Sequence, residues 1–249
     1  MYKDTNKKIA ATIEARMTST RLPGKVLMPL AGKPALERMV ERLKRSKYLD
    51  EIAIATTVNK EDDPIVELAE KLGVKYYRGS EMDVMGRVLD TAKSVQADII
   101  VELTGDCPLM DWRVVDRGVE EFFSGNYDCG ANVIERSYPD GFDVQVFPVS
   151  ILEEAANKTD DPLDREHVSR YIYTHPEEYK INHWKSGPEC DWPELRVTLD
   201  EIDDYTMINT VFEKLLPQNE DFTAEDVVNL AKKDEEILKI NQHVQAKEI

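Results

Sequence analysis

Cysteine is scarce in this chain: Cys107, Cys129 and Cys190 are the only three in 249 residues. An odd, widely spaced set excludes a disulfide framework, and no pair has metal-ligand spacing. Long apolar runs are also missing. The first apolar stretch, Ile9 to Ile13, is far shorter than a signal-peptide core or a membrane span, so a reducing cytoplasm is the expected location and no membrane partner is expected. Positive charge is in deficit, 32 Lys and Arg against 49 Asp and Glu, giving a net charge of −17. Phosphate-backbone affinity rests mostly on Lys and Arg releasing counterions, so a generic nucleic-acid binder is excluded. Linkers, repeats and low-complexity tracts are absent, which predicts one domain over 1–249. What is present suffices for a core: 41% apolar residues, including 3 Trp, 10 Tyr and 6 Phe.

Strand-length apolar runs alternate with segments of helical period through the first half. Strands are predicted at Ile9–Ile13, Glu51–Thr57, Val74–Tyr77 and Ile99–Leu103, and helices from about Pro34, at Pro64–Leu72 and at Val84–Val95. This alternation predicts an α/β fold with a mostly parallel, Rossmann-like sheet flanked by helices. The second half is less regular. Short strands are expected at Cys129–Val133, Phe142–Phe147, Lys180–Trp184 and Arg196–Leu199, with helices near Ser150–Asn157 and Leu163–Thr174. Residues 128–190 read as a smaller β-rich lobe inserted on the sheet. Thr223 and Asp226 have capping-box spacing and open a C-terminal helix.

Ligands of parallel sheets bind outside the carboxyl ends of the strands, so strand exits are where chemistry is sought. The first exit, Glu14 to Lys25, gathers Arg16, Arg21 and Lys25 with the hydroxyls of Thr18, Ser19 and Thr20. Arg grips phosphate oxygens in a fork and Lys acts as a point charge, so this cluster suits a polyphosphate. It is not a Walker A loop, because Ser19 and Val26 stand where Gly and Ser or Thr are needed, and it contains no G-x-G-x-x-G. The fourth exit places Asp106 between Gly105 and Pro108, and Asp200 ends the Arg196–Leu199 run. Two such carboxylates suit Mg²⁺, which takes one or two protein carboxylates plus phosphates and water. Asp111 is the better candidate to cap the helix near Trp112, Asp203 and Asp204 fit a helix start, and Cys107 reads as a packing residue.

The strings Ile13-Glu-Ala-Arg16-Met-Thr-Ser19-Thr20-Arg21-Leu-Pro23-Gly24-Lys25-Val-Leu27, Ala31-Gly32-Lys33-Pro34 and Thr104-Gly105-Asp106-Cys107-Pro108-Leu109 resemble the sugar-acid cytidylyltransferases. These include the CMP-Kdo synthetases and the acylneuraminate cytidylyltransferases, and the nearest resemblance is to the spore-coat polysaccharide branch SpsF. Asp140-Gly-Phe-Asp143-Val-Gln145 and Arg165-Glu166-His167-Val168 resemble later motifs of that branch. The resemblance implies a glycosyltransferase-A-like fold, usually a homodimer, using CTP and Mg²⁺ for surface-polysaccharide biosynthesis. It places Arg16, Arg21 and Lys25 on the triphosphate and the metal on Asp106 and Asp200. It puts Ala11, Glu14, Ser19, Arg78, Arg87, Thr104 and Gly105 around the nucleotide, and Asp143, Gln145, Arg165 and His167 toward a sugar-acid acceptor, with 128–190 as the acceptor-binding or oligomerisation insertion. The chain departs from the branch at Glu14, usually Gln, and at Thr18, usually Gly; CMP-Kdo synthetases have Gln at the place of Thr104. A carboxylate at Glu14 repels a triphosphate unless it pairs with Arg, meets a base amino group or is protonated. Two other readings stand beside this one. A nucleotide-sugar glycosyltransferase would want a D-x-D motif, where Gly105-Asp106-Cys107 offers one acid, and a non-catalytic nucleotide-binding partner would release no pyrophosphate.

Overall fold

The computed structural model describes residues 6–245. In chain order the elements are β1 (Ile9–Glu14), β2 (Pro29–Leu30), β3 (Lys33–Pro34), α1 (Ala35–Leu43), β4 (Glu51–Thr57), α2 (Asp63–Leu72), β5 (Lys75–Gly79), α3 (Val84–Ser94), β6 (Ile99–Thr104) and α4 (Trp112–Phe123). There follow β7 (Cys129–Ala131), β8 (Gln145–Pro148), α5 (Val149–Lys158), α6 (Pro162–Glu166), α7 (Arg170–Thr174), β9 (Ile181–His183), α8 (Ile202–Leu215), α9 (Ala224–Lys233) and α10 (Glu235–Asn241). Seven strands form one sheet in the order β5-β4-β1-β6-β8-β7-β9, and β2 and β3 form a small antiparallel pair. β1, β4, β5 and β6 run parallel, as the alternating pattern predicted. β8 pairs antiparallel with β6 and with β7, so the strands of residues 128–190 extend the main sheet, and α5, α6 and α7 make this stretch richer in helix than in strand.

β1 is apolar except for Thr12 and its last residue, Glu14, because both its faces are covered. On one face α1 docks Leu36, Met39, Val40 and Leu43 into a large core shared with α2, α4 and the C-terminal helices. On the other, Val84, Met85 and Val88 of α3 pack with residues of α5 and α7. The chain leaves β1 for β4 on one side, while β6 lies on its other side. The sheet therefore changes winding direction between β1 and β6, and a crevice opens at their carboxyl ends.

Two expectations fail locally. The single helix predicted over Leu163–Thr174 is broken into α6 and α7, with Val168 between them at φ 42° and fully buried. The break aims Ser169 at Gln145 on β8, and core burial of Val168 holds a conformation that β-branched residues otherwise avoid. Arg196–Leu199 is extended but is not a strand. Its only ladder contact is an isolated bridge from Asp140 to Arg196, and its amides bond to loops: Val197 N–H to Asp140 O at 2.7 Å and Leu199 N–H to Asp106 O at 2.7 Å. Buried alternation looks the same whether a sheet or loops supply the acceptors.

Candidate active site

The loop leaving β1 doubles back through Gly24, whose φ of 73° is left-handed and whose N–H donates to Met17 O at 2.8 Å. Met17 N–H in turn donates to Asp62 Oδ1 at 2.7 Å, anchoring the loop. A single 3₁₀ turn, Lys25–Leu27, then carries Lys25 to the crevice. At the end of β6, Gly105 N–H donates to Glu14 O at 2.8 Å, and a Cβ on Gly105 would lie 2.7 Å from that same oxygen. Only glycine lets the two strand exits lie this close, and the next residue is Asp106.

The spatial convergence predicted for these segments is present. Lys25 Nζ donates to Asp106 Oδ2 at 2.7 Å and to Asp200 Oδ1 at 2.9 Å, although 175 positions separate Lys25 from Asp200. Arg21 reaches Asp200 Oδ2 at 2.9 Å, and Arg196 donates to the same oxygen while bonding Asp140 Oδ2 at 2.9 Å and Asp204 Oδ1 at 3.2 Å. Burial pushes the Asp200 carboxyl up, but Lys25, Arg21 and Arg196 outweigh it and hold the group below its ordinary range. Burial pulls Lys25 down, and Asp106 and Asp200 outweigh that too, so its ammonium is held charged. The Cys107 thiol is pushed well up, first by burial and then by Asp106, which suits packing rather than nucleophilic chemistry.

A cleft of about 280 Å³ is lined by Glu14, Arg16, Ser19, Arg21, Lys25, Arg87, Thr104, Gly105, Asp106, His167 and Asp200, among others. Two further hollows open from it. One of about 550 Å³ adds Arg136, Asp140, Asp143 and Arg196, and one of about 200 Å³ adds Glu102, Gln145 and Tyr173. Thr104 and His167 border all three, so a ligand in the cleft and one in either hollow would meet there. Three predicted site residues stand elsewhere. Ala11, in the middle of β1, is sealed in the core. Arg78 is used on Thr57 O, Asn59 O and Asp63, tying β5 to the turn before α2. Arg165 donates to Thr159 O and Ala156 O, bracing α5 against α6.

Glu14 and Thr18, the departures noted in the sequence, acquire distinct surroundings. Thr18 donates to Glu81, which also pairs with Arg16 at 3.2 Å, so the loop is pinned to the segment ahead of α3. Glu14 Oε1 is buried without a hydrogen-bond partner. Burial, opposed by Arg87, pushes the carboxyl from 4.5 to about 8, with Asp106 pushing the same way. The unfolded chain ionises Glu14 above about pH 4.5 while the folded chain keeps the proton to about pH 8, so this group makes stability fall as pH rises through that window. Glu14→Gln removes the dependence. The variant should match the native chain near pH 4.5 and exceed it by on the order of 2–4 kcal/mol at pH 8, read from urea unfolding at both pH values. A pH-independent difference would show that the folded chain does not hold this proton.

Arg196, Arg136, Asp140 and Glu102 were not foreseen as site residues. Glu102 was detectable as the one charged residue within the apolar run Ile99–Leu103, and it is only 5% exposed. Arg196 stands four residues before Asp200, a spacing that a strand reading sends to one face without revealing an ion pair. Among the described residues no helix is long and apolar enough to cross a membrane.

A family model described as cytidylyltransferase matches residues 10–242. The chain is 36% identical to an uncharacterized protein of Methanocaldococcus jannaschii, covering 96% of this chain and 97% of that one. It is 30% identical to the spore coat polysaccharide biosynthesis protein SpsF of Bacillus subtilis, covering 88% and 91%. The solved structure of a cytidylyltransferase from Leptospira borgpetersenii superposes with a TM-score of 0.88 at 35% identity, over 98% of this chain and 100% of that one.

Proposed function

Because the chain belongs to the cytidylyltransferase family, we propose that it transfers CMP from CTP to a hydroxyl of a sugar acid of Kdo or nonulosonate type, with release of pyrophosphate, for surface-polysaccharide biosynthesis. The observation that carries this reading is the meeting of Arg21, Lys25, Asp106 and Asp200 around one cleft, with Arg16 on its wall. Attack of the acceptor hydroxyl on the α-phosphorus forms the new P–O bond and breaks the bond to the oxygen bridging to the β-phosphate; that oxygen leaves with pyrophosphate and the hydroxyl proton passes to water. Such transfer needs positioning and neutralisation of spreading charge rather than a covalent intermediate. Lys25, Arg16 and Arg21 hold the departing pyrophosphate, and Arg87 and Thr104 border the nucleoside. Asp143, Gln145 and His167 face the acceptor, with Arg136 as the cation of that hollow. The residues suit Mg²⁺: Asp106 and Asp200 already converge on one cationic nitrogen, and two carboxylates with phosphates and water satisfy the ion. When bound there, Mg²⁺ supplies charge neutralisation at the α-phosphate and lowers the pKa of the attacking hydroxyl.

On the same reading the enzyme is a cytoplasmic homodimer, and 128–190 serves acceptor binding or dimerisation. The test is a pyrophosphate-release screen with Mg²⁺, the four nucleoside triphosphates, and a panel of Kdo-like and nonulosonic acids. Release with CTP and at least one sugar acid is expected. Release only with another triphosphate would overturn the base assignment, and no release with any combination would favour a non-catalytic binding partner.

A further inference from the structure

Lys25 stands in the place that the proposed metal reading gives to a divalent cation. Its ammonium touches one oxygen from each carboxylate, at 2.7 and 2.9 Å, and the residue is only 9% exposed. Asp200 carries Arg21 and Arg196 as well, but among the described residues Lys25 is the sole ion-pair partner of Asp106. A divalent ion bridging the two acids and this ammonium therefore compete for the same oxygens. An ammonium this buried leaves its carboxylates only for another anion, because burying it unpaired is costly. The triphosphate-binding loop supplies the occasion: Lys25 lies on it beside Arg16 and Arg21.

We propose that Lys25 is an internal counter-ion that keeps Asp106 and Asp200 from taking a divalent cation until a polyphosphate draws its ammonium away, so that nucleotide and metal bind as a coupled pair. This rests on the reading of Asp106 and Asp200 as the metal carboxylates. By linkage the coupling is reciprocal, since metal on the acids releases Lys25 toward the phosphates. The consequence inverts the usual expectation for a site residue, because deleting Lys25 improves one of the two binding events.

The experiment measures Mn²⁺ binding to the full chain without nucleotide, from the loss of the free-ion EPR signal. It compares the native protein, Lys25→Met, Asp106→Asn and the double variant, each checked for folding by circular dichroism. Met keeps the stem and removes the charge. Mn²⁺ should bind Lys25→Met on the order of 10-fold more tightly than the native protein, and the double variant should lose that gain. If Lys25→Met binds no more tightly while Asp106→Asn in the native background still weakens binding, the counter-ion role is overturned and the metal assignment stands. If binding is indifferent to Asp106 in both backgrounds, the metal assignment fails and the proposal falls with it.

Discussion

Asp106→Ala is expected to lower kcat/KM for metal-dependent pyrophosphate release about 1,000-fold, the equivalent of about 4 kcal/mol of transition-state stabilisation. Asp106 is delivered by the β6 exit that Gly105 alone permits, and on the proposed mechanism it is one of the two carboxylates that would hold a metal at the α-phosphate. The fold should tolerate the change. Lys25 keeps Asp200 at 2.9 Å, and the backbone bond from Leu199 N–H to Asp106 O does not involve the side chain. Removing one of the two partners of this buried ammonium should lower the unfolding free energy by about 1–3 kcal/mol without unfolding the chain. Steady-state kinetics over a Mg²⁺ series, with a urea titration beside it, decides the matter. Near-native turnover at low Mg²⁺ would remove Asp106 from the chemistry.

The largest effect on stability is expected at Gly141. Its φ of 120° is a region that residues with a side chain rarely enter, and an added Cβ would lie 2.8 Å from Val197 C and 2.9 Å from Val197 O. Both obstacles are backbone, so no rotamer change relieves them. The loop around Gly141 is clasped to the extended segment from both sides, Asp140 N–H donating to Leu195 O at 2.9 Å and Val197 N–H to Asp140 O at 2.7 Å. Gly141→Ala must strain the turn or break the clasp, at a cost of about 3–5 kcal/mol. For a chain of this length that corresponds to a melting point lower by roughly 10 °C. Activity should suffer too, because the same segment carries Arg196 and Asp200. A melting point within a degree or two of native would show that the loop has slack the geometry denies it.

The parallel half of the fold was legible because its signals are local. Short, mostly apolar runs mark β1, β4 and β6, and Gly73, left-handed at φ 65°, closes α2 where the sequence pattern ends it. The convergence of residues at the candidate site was legible for a different reason: strand exits collect ligands, and a knot of cations in an acidic chain stands out wherever it falls. What stayed hidden depends on long-range pairing. Nothing in the run around Val168 reveals that Gln145 will recruit Ser169 and split a helix, and Arg196 looks like the start of a strand until Asp140, Asp200 and Asp204 surround it. Arg78 and Arg165 illustrate the opposite case. Both carry the right charge in the right stretch, yet carbonyl oxygens at helix and strand ends claim their guanidinium groups first.

Asp204 gives α10 an importance that its distance from the chemistry conceals. The Asp204 carboxylate accepts the amide hydrogens of Asp200 and Glu201, and on its other oxygen it accepts from Asn241 Nδ2 at 2.9 Å, which also donates to Arg196 O at 3.1 Å. The last helix of the described residues thus acts as a buttress, fixing from behind the pitch at which the Asp200 carboxylate is presented to the cleft. Drift in that remote stretch between relatives would shift the candidate site without altering any residue that lines its cleft, so substitutions in α10 are expected to act on it from a distance.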